Sequence, residues 1–174
     1  MSTKELKQED KKVSKIVFLD VDGTLIDYEA KMPVSAGKAV DQARANGHKV
    51  YICTGCSKAE IAQRELCELD GMIGGNGAYV EDHGHVVMHQ GLSKEDVKHI
   101  VDWCNERHLG FYLEANSGMY CNDYMLEQGP ATMIKYAQGK GANLEDAKLS
   151  ANSFVNSFIH LKGEDLYRDD VNKI

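Results

Sequence analysis

The sequence predicts an α/β protein: part of a parallel sheet core joined to a second α+β module. Three observations carry this. Residues 16–19, "IVFL", and 48–53, "HKVYIC", are short apolar runs rich in branched and aromatic residues, the pattern of strands covered on both faces. Between them Ala36, Ala39, Val40 and Ala43 recur at spacings of three and four, which predicts a helix from about 35 to 46, stopped at Gly47. Beyond residue 91 the strand–helix alternation gives way to a different order of elements, so a second module is expected there.

In chain order, residues 1–14 are a polar lead-in without the apolar core of a signal peptide. Residues 15–91 form the first module. After its first two strands and first helix, "TGCSK" leads into a helix from about 58 to 69, and "GMIGGNGAYV" holds a third strand and a glycine-rich corner. "YVEDHGHVVMHQ" reads as a hairpin around His83-Gly84. Residues 92–174 form the second module. Ser93 with Asp96 opens a helix carrying Val97, Ile100, Val101 and Cys104 on one side, running to about Leu109. "GFYLEANSGMYCND" is β-rich with a turn at 116–118, a helix is expected around 130–138, and a polar loop follows. "SFVNSFIHL" fits a helix or a strand equally.

With 43% hydrophobic and 27% charged residues and a net charge of −7, the chain is unsuited to general nucleic-acid or anionic-membrane binding. It has no apolar run near the roughly 20 residues that span a bilayer. Five cysteines in 174 residues make no disulfide scaffold, which points to a reducing cytoplasm.

The chemistry lies in "DVDGTL", where Asp20 and Asp22 end an apolar strand one residue apart. Aspartates there can simply shape a turn. The functional reading makes Asp20 a nucleophile and Asp22 a general acid and then base. A hard cation, Mg²⁺, held by Asp20, Asp22 and a backbone carbonyl would relieve their repulsion. Backbone N–H groups around Asp22, Gly23 and Thr24 would form an anion nest.

"DVDGTL" resembles the nucleophile motif of the haloacid dehalogenase-like phosphatases, "VYICTG" their second motif, and "IGGNGAYV" their Cof-type branch. The resemblance implies an aspartyl-phosphate on Asp20, acid/base work by Asp22, phosphate binding by Thr54 with Gly55, a Mg²⁺ cofactor, a small phosphorylated metabolite as substrate, and an inserted cap. The second motif departs from the usual "TGR" in having Cys56, so Cys56 and Asn76 are candidates to modify the site. The catalytic lysine and acidic metal motif that the family carries beyond the cap are not matched; Lys162, Asp165, Asp169 and Asp170 read as cap residues. The chain is therefore expected to stop inside the cap, with impaired turnover and an open edge on its first strand, to be covered by a second copy or by a missing C-terminal segment. Three other readings stand beside this one. The chain is a non-catalytic relative that binds or self-associates; Cys53 and Cys56 form a CxxC redox pair; or His83, His85 and His89 hold a metal rather than forming a hairpin's polar face.

Overall fold

The computed structural model describes residues 13–27 and 31–174; the lead-in expected over 1–14 falls outside the described residues except for its last two. Strand β1 (Ile16–Leu19) runs parallel to β2 (Lys49–Cys53), with Leu19 opposite Ile52, and β2 runs parallel to β3 (Gly71–Gly74). The hairpin β4 (Tyr79–Asp82) and β5 (His85–His89) adds antiparallel strands, giving the sheet order β1-β2-β3-β4-β5. His83 and Gly84 both take positive φ, 46° and 80°, as a two-residue hairpin turn requires.

Helix α1 (Val34–Ala45) follows Pro33, and Gly47 at φ 84° ends it. It lays Val40, Ala36 and Ala43 on the sheet against a core of Val21, Leu25, Ile26, Val50, Ile52 and Met72. Asp70, buried just before β3, ties these parts together. Its Oδ2 accepts the Val50 N–H at 2.7 Å, and its Oδ1 accepts from Arg44 Nε at 3.3 Å.

The helix expected over 58–69 is a single turn, α2 (Lys58–Ile61). Ser57 caps it by accepting from the Glu60 N–H, then Gln63 and Arg64 close tight turns onto the Glu60 and Ile61 carbonyls. The early stop lets Leu66, Cys67 and Leu69 pack on the core while Arg64 turns toward Asp22. Local periodicity loses to those long-range contacts.

The second sheet has the order β8-β7-β6-β9. Helix α3 (Lys94–Glu106), capped by Ser93, precedes β6 (Tyr112–Ala115) and β7 (Met119–Cys121) and stops three residues before the expected Leu109. Its Val97 and Val101 pack on Leu113, Ala115 and Tyr120, with Leu166 and Val171 completing the cluster. Two expectations are corrected in this part of the chain. The helix expected from Pro130 is α4 (Asp123–Gly139), because Asn122 caps it seven residues earlier by accepting from the Met125 N–H; Pro130 sits in its interior. The expected polar loop is α5 (Leu144–Asn156), capped by Asn143 and packed on α4. "SFVNSFIHL" is divided: its first half ends α5, and Ile159–His160 forms β8, parallel to β7. Strand β9 (Val171–Lys173) closes the sheet beside β6.

The two sheets are joined where the Leu92 N–H donates to the Val171 carbonyl and His89 Nε2 meets Asn172 Oδ1 at 3.0 Å. Among the described residues β1 has no partner on its outer edge, and its Ile16 and Phe18 are 61% and 54% exposed. No helix among those residues is long and apolar enough to cross a membrane.

Asp70→Ala is expected to destabilise the chain by about 1–3 kcal/mol at roughly pH 7, since it leaves the buried Val50 N–H without an acceptor. Burial opposes the Asp70 charge, but the Val50 N–H and Arg44 together hold its carboxyl below the ordinary value. A depressed carboxyl contributes stability that is full above its unfolded pKa and lost as pH falls through the folded value. Urea titrations should therefore show the wild-type advantage over Asp70→Asn shrinking in acid. A constant difference would contradict this account.

Candidate functional site

The site begins where β1 ends. Val21 is fully buried between two exposed aspartates, and its carbonyl accepts the N–H groups of Leu25 and Ile26 at 3.0 Å each. Val21, Leu25 and Ile26 drop into the core while Asp20, Asp22, Gly23 and Thr24 face outward. Gly23, at φ 76°, makes the reversal possible. Because β1 and β2 are parallel neighbours, Asp20 and Thr54 leave the same end of the sheet.

Asp20 is exposed, and its Oδ2 accepts the Thr24 hydroxyl at 3.2 Å. The expected anion nest is corrected at two of its members. The Gly23 N–H donates to the Ile26 carbonyl at 2.9 Å and the Thr24 N–H to the Val21 carbonyl at 3.3 Å, so both serve the turn itself. Thr54 is buried, and its Oγ1 accepts the Cys56 N–H at 3.1 Å. A hydroxyl whose acceptor side is used in this way keeps its proton for another acceptor, such as a phosphoryl oxygen.

Gly55 and Asn76 are brought together: a Cβ at Gly55 would stand 2.9 Å from Asn76 Oδ1. Asn76 holds φ 56° in the single 3₁₀ turn Gly75–Gly77 after β3. The adjacent Gly75 lies against Asn172 of β9, which bonds in turn to Asn116.

Cys56 is buried beside Asp22, its Sγ 3.5 Å from Asp22 Oδ2. Burial pushes its thiol up to about 12. Cys56 is therefore a neutral thiol rather than a thiolate at ordinary pH. All five cysteines are free, Cys53 being exposed and Cys56 buried.

Sequence reasoning missed two groups. Arg64 Nη1 donates to Asp22 Oδ1 at 2.6 Å, and its Nη2 donates to Glu60 Oε1 at 2.9 Å. Burial works against its charge, but the bonds to Asp22 and Glu60 outweigh it and hold the guanidinium above its ordinary value. The i, i+4 spacing of Glu60 and Arg64 is the signal that could have found it. The second group is Glu114 on β6, which reaches toward Ser57 and Glu60. Its Oε1 meets Lys173 Nζ at 3.0 Å, while its buried Oε2 has no hydrogen-bond partner. Burial raises its pKa. Nothing in a four-residue strand marks that carboxylate as buried in advance.

His83, His85 and His89 form no metal cluster: among the described residues there is no group of three or more His, Cys, Asp or Glu side chains able to hold an ion. Lys162 pairs with Asp123 at 3.2 Å, and Asp170 bonds Ser117 and Arg168, contacts within the second sheet and its helices.

A family model for haloacid dehalogenase-like hydrolases matches residues 17–173. The chain belongs to this family. It is 28% identical over 94 residues to the protein YkrA of Bacillus subtilis strain 168 and 24% identical over 109 residues to Phosphatase YwpJ of the same organism. These matches cover 53% and 61% of this chain but only 37% and 38% of the relatives, so the chain aligns with well under half of each. A haloacid dehalogenase-like hydrolase from B. subtilis superposes with a TM-score of 0.69 at 19% identity, over 90% of this chain and 59% of that one. The shared fold is an α/β core bearing an additional cap module.

Under native conditions at about pH 8, an aryl disulfide reagent should modify exposed Cys53 quickly and Cys56 only after unfolding. Fast labelling of Cys56, or a Cys53–Cys56 disulfide found by mass spectrometry, would support the redox reading.

Proposed function

We propose that this chain carries the nucleophile-bearing part of a Mg²⁺-dependent, Cof-type phosphate monoester hydrolase acting on a small phosphorylated metabolite. Residues 15–91 supply part of the core and 92–174 part of the cap. The observation that carries this is the exit of Asp20 and Thr54 from the same end of adjacent parallel strands, with Asp22 one residue beyond the buried Val21, in a chain of this family.

In this reading an Asp20 oxygen attacks phosphorus and the P–O ester bond breaks as an aspartyl-phosphate forms. Asp22 gives its proton to the departing oxygen, then takes one from the water that releases phosphate. The Thr54 hydroxyl donates to a phosphoryl oxygen. The donor set suits Mg²⁺: Asp20 presents hard carboxylate oxygens to solvent, whereas Asp22 Oδ1 is already engaged by Arg64, so Asp20 would be its main protein ligand. When bound, Mg²⁺ would offset the negative charge gathered between carboxylate and phosphate.

Turnover by these 174 residues is expected to be low, because they contain no match to the family's lysine and acidic metal motif. Loss of one such electrostatic group costs about 10²–10³ in rate. With Mg²⁺ and an aryl phosphate, weak hydrolysis should disappear in Asp20→Asn and on chelation of the metal. Hydrolysis unchanged by Asp20→Asn would overturn the assignment.

Among the described residues the outer edge of β1 has no partner, which favours a second reading, in which the chain is a non-catalytic relative that binds or self-associates. An edge with open backbone groups and apolar Ile16 and Phe18 favours pairing with a second copy or a further C-terminal segment. Light scattering on a dilution series of the 174-residue chain should show a dimer at micromolar concentration; a monomer throughout would refute self-association.

A further inference from the structure

Arg64 has two attachments that differ in kind. Glu60, four residues earlier, holds Nη2 at 2.9 Å, and both side chains are largely covered. Asp22 holds Nη1 at 2.6 Å, but its side chain is 57% exposed. Water competes for an exposed ion pair, so the bond to Asp22 is the one readily exchanged. The small Cys56 side chain, with Sγ 3.6 Å from Nη2, leaves room for the arginine to reach across. Arg64 also lines a cleft of about 930 Å³ together with Glu60, Gln63 and, from α5, Asp146, Ser150 and Ser153.

A phosphate group is a stronger partner for this guanidinium than a single exposed carboxylate. It presents several anionic oxygens and matches the planar fork of N–H donors in a bidentate way. Asp22 and phosphate carry the same sign of charge, so they compete for Arg64 while repelling each other. Glu60 remains attached in either case and keeps the guanidinium over the site.

We propose that Arg64 is an anion-capturing latch, which pairs with Asp22 in the empty site, transfers to the phosphate of an arriving ligand, and thereby releases Asp22. Glu60 is the positioning residue that tethers it. The proposal rests on the reading of Asp20, Asp22 and Thr54 as a phosphate site.

The test is calorimetric titration of orthophosphate into the 174-residue chain, with each variant checked for folding by circular dichroism. Arg64→Gln should weaken phosphate binding by about 10-fold and Arg64→Lys by less, since lysine keeps the charge but loses the fork. Asp22→Asn removes the competitor and should tighten binding by about 3-fold or more in the wild-type background, a gain that should vanish when Arg64→Gln is also present. An equal gain in both backgrounds would show general charge repulsion and overturn the latch. Binding lost in Thr54→Ala yet unchanged in Arg64→Gln would overturn the latch and leave the phosphate site standing. Absence of phosphate binding, or binding indifferent to Thr54→Ala and Arg64→Gln alike, would overturn the phosphate-site reading and the latch with it.

Discussion

Val21 is a fully buried residue placed between two exposed aspartates, and the candidate site is organised by that placement. Just past the end of β1, anchoring Val21 in the core leaves the carboxylates on either side of it exposed. The Val21 carbonyl accepts from three N–H groups of the following turn, those of Thr24, Leu25 and Ile26, and Leu25 and Ile26 return to the same core. Apolar burial therefore holds two like charges close to each other, and electrostatic relief has to come from elsewhere. Parallel pairing of β1 with β2 then brings the Thr54 hydroxyl to the same edge of the sheet.

The relief visible in the protein comes from Arg64 rather than from position 56. Helix α2 stops after one turn, and Arg64, three residues past its end, reaches Asp22 while still pairing with Glu60. The same early stop brings Leu66, Cys67 and Leu69 onto the core, so packing and electrostatics favour the same local departure from helical pattern. Cys56, with its thiol held protonated by burial, acts here as a small neutral neighbour of the ion pair. Glu114 adds a further negative group from the second sheet, close to the start of α2 and balanced on one oxygen by Lys173.

Much of the architecture was legible because it rests on short-range rules. The runs at 16–19 and 48–53 became neighbouring parallel strands, His83-Gly84 became the hairpin turn, and Ser93 became the cap of α3. Where the sequence misled, a local signal was outweighed or overlooked. Pro130 looked like a helix start, but Asn122 had already supplied a cap. The polar surface of α5 concealed a helix whose buried Ala147 and Ala151 are too small to form a conspicuous apolar stripe.

By itself the sequence determined the strand ends, the spacing of Asp20 and Asp22, and the hydroxyl at Thr54, because strand periodicity and turn chemistry act over a few residues. Only the tertiary structure decided which groups surround them. The reach of Arg64 across 42 positions to Asp22, the turning of the Gly23 and Thr24 N–H groups inward, the contact of Asn76 with Gly55, and the burial of Glu114 depend on the packing of segments distant in the chain. Side-chain environment is a property of that packing, and no local pattern encodes it.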